Sequence, residues 1–264
     1  LRKNIVDWLI VDHYGIDEEW QKELKGNYKK LMVIDDLADR SHKCDILLDQ
    51  TFGRQYQDYK AFVLNSCELL LGSQYTLLRP EFAEWRQYSL DRRKKPVFKE
   101  LLISIGGVDS ANMTEQIVKK LEVCNLPSNL KITVVMGIFA PHLETVKTRV
   151  NNLPYKSEVR VDVNNMAEIM ANADITIGSS GITTWERCCL GLPAIQFITA
   201  KNQSIIGELL ARKKAIKLLQ NLDQLPEMIE DVISWMKDVT IIAQEVSDGM
   251  GSMRVSSKMI DKII

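Results

Sequence analysis

Short apolar runs, each about the length of one strand, recur along the chain and stop at polar or glycine-rich positions, and between them apolar residues repeat at helical spacing. The first run, Ile5 to Val11, is rich in β-branched residues and ends in Asp12-His13-Tyr14-Gly15; Asp17 can then cap a helix reaching about Lys25. Lys30 to Ile34 predicts the next strand, ending at Asp35-Asp36. Asp45 to Leu48 and Leu69 to Leu71 predict two more, with a polar loop holding Asp39, Arg40 and His42 before the first of them. Strands and helices in this alternation are half of a parallel sheet, with polar loops at the carboxyl ends of the strands. Leu1 is not a methionine and Ile5 to Val11 already reads as an interior strand, so the chain is expected to open inside a domain.

A polar stretch from Arg86 to Lys95 follows, containing Arg92-Arg93-Lys94-Lys95 and closed by Pro96; its composition suits a linker, and it places a domain boundary between residues 94 and 95. The alternation then resumes. Leu101 to Ile105, Lys131 to Met136, Val159 to Val161, Asp174 to Ile177, Pro193 to Thr199 and Ala215 to Leu218 predict strands. Helices are expected from Asn112 to about Cys124, Pro141 to Asn151, Asn165 to Asn172, and Lys201 to about Lys213. Amphipathic helices follow over Asp223 to Lys237 and Thr240 to Ile264, the second interrupted at Asp248-Gly249-Met250-Gly251. The fold class expected is α/β, with two Rossmann-like parallel-sheet domains.

Charge narrows the possible partners. Lys plus Arg (34) nearly balance Asp plus Glu (35), which recommends neither nucleic acid nor an anionic membrane as a partner and favours a small, specific ligand. No apolar run approaches the roughly 20 residues that span a bilayer. The five cysteines are scattered without a C-x-x-C pair, arguing against a zinc site or a disulfide framework and for a reducing, cytoplasmic setting.

Two glycine turns sit between a strand and a helix: Gly106-Gly107-Val108-Asp109 and Gly178-Ser179-Ser180-Gly181. Neither matches the Walker or dinucleotide fingerprint. Each is compatible with a plain βα connection; as a pair at carboxyl strand ends they also suit a phosphate-bearing ligand, which a helix N-terminus favours. Glu186 is ambiguous. Thr183-x-x-Glu186 fits a capping box, which the spacing alone favours, while a carboxylate one turn into the helix also suits a ribose diol. Asn202 is either an N-cap or a ligand contact. Gly191 and Pro193 are expected to stop the helix after Glu186, and Cys188 and Cys189 within it to pack as small hydrophobes.

These residues, taken together, resemble a known family. Val11-Asp-His-Tyr-Gly15, Ile34-Asp-Asp-Leu-Ala-Asp-Arg40, His42-x-Cys44-Asp-Ile-Leu-Leu-Asp49, Gly72-x-x-Tyr75-x-Leu-Leu-Arg79-Pro-Glu-Phe82, Ile105-Gly-Gly-Val-Asp109-x-x-Asn112-x-Thr114, Thr183-Thr-Trp-Glu-Arg-Cys-Cys-Leu-Gly-Leu-Pro193, Asn202-Gln203 and Asp248-Gly-x-Gly251 are similar to the UDP-2,4-diacetamido-2,4,6-trideoxy-β-L-altropyranose hydrolases of pseudaminic acid biosynthesis and their spore-coat-polysaccharide relatives. The resemblance implies a GT-B-like, MurG-like fold: a partial N-terminal Rossmann-like domain over 1–94, truncated at its start, and a UDP-binding Rossmann-like domain with C-terminal helices over 95–264. It implies a UDP-sugar substrate, no cofactor, no metal, and inverting hydrolysis. Gly106, Gly107, Asp109, Asn112, Ser179, Ser180, Gly181, Glu186 and Gln203 would bind substrate, with Glu186 on the ribose; Tyr14 and Asn202 would be catalytic. The family's general-base histidine stands in a Gly-x-Gly-His loop that these 264 residues lack, since their histidines are His13, His42 and His142. MurG-type glycosyl transfer and UDP-sugar binding without turnover are the alternatives.

Overall fold

The computed structural model describes residues 5–263, and by packing it divides into two compact units: Leu1–Leu78 with Gly249–Ile264, and Arg79–Asp248.

The first unit holds a four-stranded parallel sheet in the order β1 (Val6–Asp12), β2 (Tyr28–Ile34), β3 (Ile46–Asp49), β4 (Glu68–Leu71). Helix α1 (Glu18–Glu23) starts where the sequence predicts, Asp17 accepting hydrogen bonds from the Glu19 and Trp20 amides. A short helix α2 (Tyr56–Tyr59) was not predicted. Strand side chains alternate between two cores: Leu31, Val33 and Leu47 pack with Tyr59 on one face, and Met32, Ile46 and Leu48 pack with Val255 on the other. The first strand differs from expectation. Read as interior, β1 lies at the sheet edge among the described residues, and Val6 and Ile10 are about half exposed (49% and 52%).

The second unit opens with α3 (Pro80–Arg92) and carries a six-stranded parallel sheet, order β10-β9-β8-β5-β6-β7. In chain order its elements are β5 (Glu100–Ser104), α4 (Met113–Leu121), β6 (Lys131–Met136), α5 (Leu143–Asn151), β7 (Lys156–Val161), α6 (Met166–Asn172), β8 (Ile175–Ser179), α7 (Thr183–Cys189), β9 (Ala194–Phe197), α8 (Ser204–Arg212), β10 (Lys217–Leu219), α9 (Leu225–Glu230) and α10 (Val232–Ala243). Helix α11 (Gly251–Asp261) returns to the first unit, where Gly251 sits so close to the Thr76 backbone that a Cβ there would lie 2.5 Å from the Thr76 amide nitrogen. The predicted helix over Asp223 to Lys237 is thus two helices broken at Asp231, and the one predicted over Thr240 to Ile264 is split between α10 and α11.

The stretch expected to link domains is helical instead, and the division falls at Leu78/Arg79 rather than after residue 94. Its arginines cap other helices. Buried Arg93 donates to the carbonyls of Met170 and Ala173, at the end of α6, and its guanidinium is pushed down to about 9 by that burial. Arg86 donates to the carbonyls of Cys189, Gln244 and Ser247. Arg92 pairs with buried Asp174 at 2.6 Å, whose other oxygen accepts the Lys99 and Glu100 amides. A basic run that looks solvated in one dimension is here the supply of donors for orphan helix carbonyls.

Candidate functional site

The order of the second sheet fixes where a ligand fits. The chain steps from β5 to β6 in one direction and from β8 to β9 in the other, so right-handed crossovers send α4 and α7 to opposite faces of the sheet. A crevice therefore opens at the carboxyl ends of β5 and β8, the switch point at which open α/β sheets bind ligands. Both predicted glycine turns lie there. Gly106 and Gly107 follow β5 and are exposed, Gly106 at φ +125°, and a Cβ at either would meet nothing within 4 Å. From behind, Gly137 at the end of β6 presses against the Gly107 carbonyl.

The second turn is locked from several sides. Ser179 Oγ donates to the Ile105 carbonyl at 3.0 Å, tying the end of β8 to the end of β5. Ser180 is fully buried: its amide donates to Phe197 O at 3.0 Å, and its hydroxyl lies against Gly207 of α8, where a Cβ would stand 3.1 Å away. The Ser179 hydroxyl is thus spent on the scaffold, whereas Ser180 Oγ is buried without a hydrogen-bond partner. Gln203 accepts from the Thr199 amide (3.0 Å) and hydroxyl (2.9 Å), and its Nε2 faces the turn, 3.5 Å from where a Gly181 Cβ would be. The backbone of Asn202 lies in the Lys201–Gln203 turn; its side chain lies outside the described residues.

Asp109 and Asn112 shape the first loop. Both have positive φ (43° and 53°). The Asp109 carboxylate accepts the Met113 and Thr114 amides at 2.9 and 2.8 Å, capping α4, while Asn112 Nδ2 donates to Glu115 and its Oδ1 is buried without a partner. Each Asp109 carboxylate oxygen thus already accepts one backbone N–H of its own helix.

Glu186 does not cap its helix. The N-cap of α7 is Ile182, one residue earlier than a capping box requires, so Glu186 falls at the fourth helical position instead of the third and no side chain caps the helix. Its Oε2 is shut away from solvent with no hydrogen-bond partner. Burial holds its acid above the usual carboxylate range, against the opposing pull of the Arg79 and Arg187 cations. Gly191, at φ +58°, ends the helix as expected: its amide donates to Cys188 O and that of Leu192 to Arg187 O.

Arg187, passed over in the sequence, is fully buried beneath the crevice. Its guanidinium donates to Ser179 O at 2.8 Å and to Ser104 O at 3.0 Å, bridging the carboxyl ends of β8 and β5, while Nε has no partner. Burial lowers its pKa to about 10, which leaves it charged at neutral pH. A sequence signal did exist: Arg beside Glu inside an otherwise apolar helix, Trp185 to Leu190, must be buried with one of them.

In the first unit, Tyr14 lies just past β1, is 56% exposed, and its hydroxyl donates to Asp36 Oδ2 at 3.3 Å. His13 accepts the Gly15 amide, and buried His42 pairs with Gln21, its imidazole drawn below the ordinary histidine range by burial. Among the described residues no group of three or more His, Cys, Asp or Glu could hold a metal ion, and no helix is long and apolar enough to cross a membrane.

No family model matches the chain. An uncharacterised protein of Methanocaldococcus jannaschii is 29% identical over 198 residues, 73% of this chain but 40% of that protein, so the chain spans well under half of that relative. The UDP-2,4-diacetamido-2,4,6-trideoxy-β-L-altropyranose hydrolase of Campylobacter jejuni is 28% identical over 215 residues, 81% of this chain and 74% of the enzyme. The crystal structure of MurG from Acinetobacter baumannii superposes with a TM-score of 0.64 at 15% identity, over 88% of this chain and 67% of that one. The fold is GT-B-like. The two parallel-sheet Rossmann-like units expected from the strand and helix alternation are therefore present.

Proposed function

We propose that this chain belongs to an enzyme that processes a nucleotide sugar and that its second unit holds the nucleoside diphosphate. The diphosphate would lie over the Gly106–Gly107 and Ser179–Gly181 turns, with Gln203 Nε2 beside it and the ribose diol on Glu186. The observation that carries this reading is the buried, partnerless Oε2 of Glu186 at the switch point, a carboxylate oxygen that no part of its own helix uses. A ribose hydroxyl would satisfy it. The fixed charge of Arg187 would favour the negative charge that grows on a departing diphosphate, which needs stabilisation more than it needs a proton.

The similarity to the C. jejuni hydrolase and the fold shared with MurG support nucleotide-sugar chemistry in general. They support this wider reading, MurG-type transfer to an acceptor included, better than they support the specific inverting hydrolysis of UDP-2,4-diacetamido-2,4,6-trideoxy-β-L-altropyranose. In the hydrolytic reading water attacks the anomeric carbon and needs a base. Tyr14 and Asn202 would then serve the sugar end, and the family's histidine is not among these 264 residues.

Calorimetric titration with UDP, UMP and uridine tests the binding claim: affinity should fall in that order, and equal affinity for UDP and uridine would remove the diphosphate from the site. Assays of UDP release from UDP-sugars, with and without acceptor, then separate transfer from hydrolysis.

A further inference from the structure

Away from the crevice, the first unit brings two cysteines together. Cys44 lies just before β3 and Cys67 just before β4, adjacent parallel strands paired from Ile46 opposite Glu68, and both belong to the face that includes Leu47, Leu69 and Leu71. Their sulfurs are 3.6 Å apart. A disulfide needs about 2.05 Å, so the bond requires the sulfurs to close by roughly 1.5 Å. The ladder between the strands already holds the two backbones side by side.

We propose that Cys44 and Cys67 form a peroxide-sensitive dithiol, with Cys67 the attacking sulfur and Cys44 the resolving one. Their surroundings differ in the way this division needs. Cys67 is partly exposed, so a small oxidant reaches it, whereas Cys44 is 5% exposed. The hydrogen bond from Cys44 draws the Cys67 thiol below its ordinary range, with help from the Lys262 charge, and the same contact, with burial, pushes Cys44 up. The thiolate is the nucleophile in such reactions. Cys67 thiolate attacks one oxygen of hydrogen peroxide, the O–O bond breaks, and hydroxide leaves, giving a sulfenic acid at Cys67. Cys44 sulfur then attacks the Cys67 sulfur; the S–O bond breaks, and the departing hydroxide takes the Cys44 proton as water. In total two thiols and one peroxide give one disulfide and two waters. The other cysteines offer no such pairing: Cys124, Cys188 and Cys189 are all buried, and burial raises each thiol.

The full chain treated with hydrogen peroxide under native conditions, digested and mapped by mass spectrometry, should yield a Cys44–Cys67 cross-linked peptide that dithiothreitol reverses. In Cys44→Ser, dimedone should label Cys67 stoichiometrically; in Cys67→Ser no cross-link forms and Cys44 stays reduced. Circular dichroism checks that each variant is folded, and Cys44→Ala provides a second, apolar replacement should serine disturb the core. Two results would overturn the proposal: both thiols remaining free in the wild-type chain after peroxide exposure that does oxidise its methionines, or dimedone labelling Cys67 in wild type as completely as in Cys44→Ser, which would mean that Cys44 never resolves it.

Discussion

Replacing Glu186 by glutamine tests the charge that the ligand reading needs. The side chain keeps its shape and loses its charge. In the folded chain Glu186 Oε2 is buried and unbonded, and burial raises the acid above its unfolded range. A carboxyl whose folded pKa is raised contributes stability that is complete below the unfolded value of about 4.3 and is lost as pH rises through the folded value. At neutral pH the ionised group therefore costs stability, on the order of 1–2 kcal/mol for an unsatisfied charged oxygen eased by two nearby cations. Glu186→Gln should consequently leave stability at pH 7 unchanged or raise it by about 1 kcal/mol, and the gain should vanish near pH 4. Binding should move the other way. Two charge-assisted bonds to a ribose diol become neutral ones, a loss of about 1 kcal/mol each, so UDP affinity should fall roughly 30-fold. Urea denaturation at pH 7 and pH 4 measures the first effect and calorimetric titration with UDP the second. Unchanged UDP affinity would refute the ligand reading.

Three further substitutions test the scaffold. Gly178→Ala would place a Cβ against the Arg187 guanidinium and 2.5 Å from Ser104 O, so thermal denaturation should show a loss of about 2–3 kcal/mol, with UDP binding lost in parallel. Arg93→Met leaves the Met170 carbonyl without its arginine donor and that of Ala173 with Arg92 alone, and urea titration should report about 3 kcal/mol of destabilisation, where a linker residue would show almost none. Tyr59→Phe removes the hydroxyl that lies 2.8 Å from Asp35 and 2.9 Å from Asp49, two buried carboxylates, and should cost about 2 kcal/mol in urea titration at pH 7.

Local pattern was enough for much of the fold. Apolar runs of strand length, turn glycines and the caps at Asp17 and Gly191 mark strands and helix ends because those preferences act over a few residues. The same pattern placed the two glycine turns at strand ends. What it left open was decided by groups far apart in sequence. Arg86, Arg92 and Arg93 look like solvated linker until the carbonyl ends of α6, α7 and α10 arrive beside them. Glu186 looks like a cap because Thr183 stands three residues before it; only the start of α7 at Ile182 shifts that register and leaves the carboxylate without a use. Arg187 is the clearest case. Its partners, Ser179 O and Ser104 O, are 8 and 83 residues away, and its place beneath the crevice exists only because β5 and β8 are neighbours in the sheet. Sequence by itself determined the periodic elements and the candidate turns, since both are short-range. Strand order, and with it which buried charges face which carbonyls, is a long-range property that the tertiary structure alone decided.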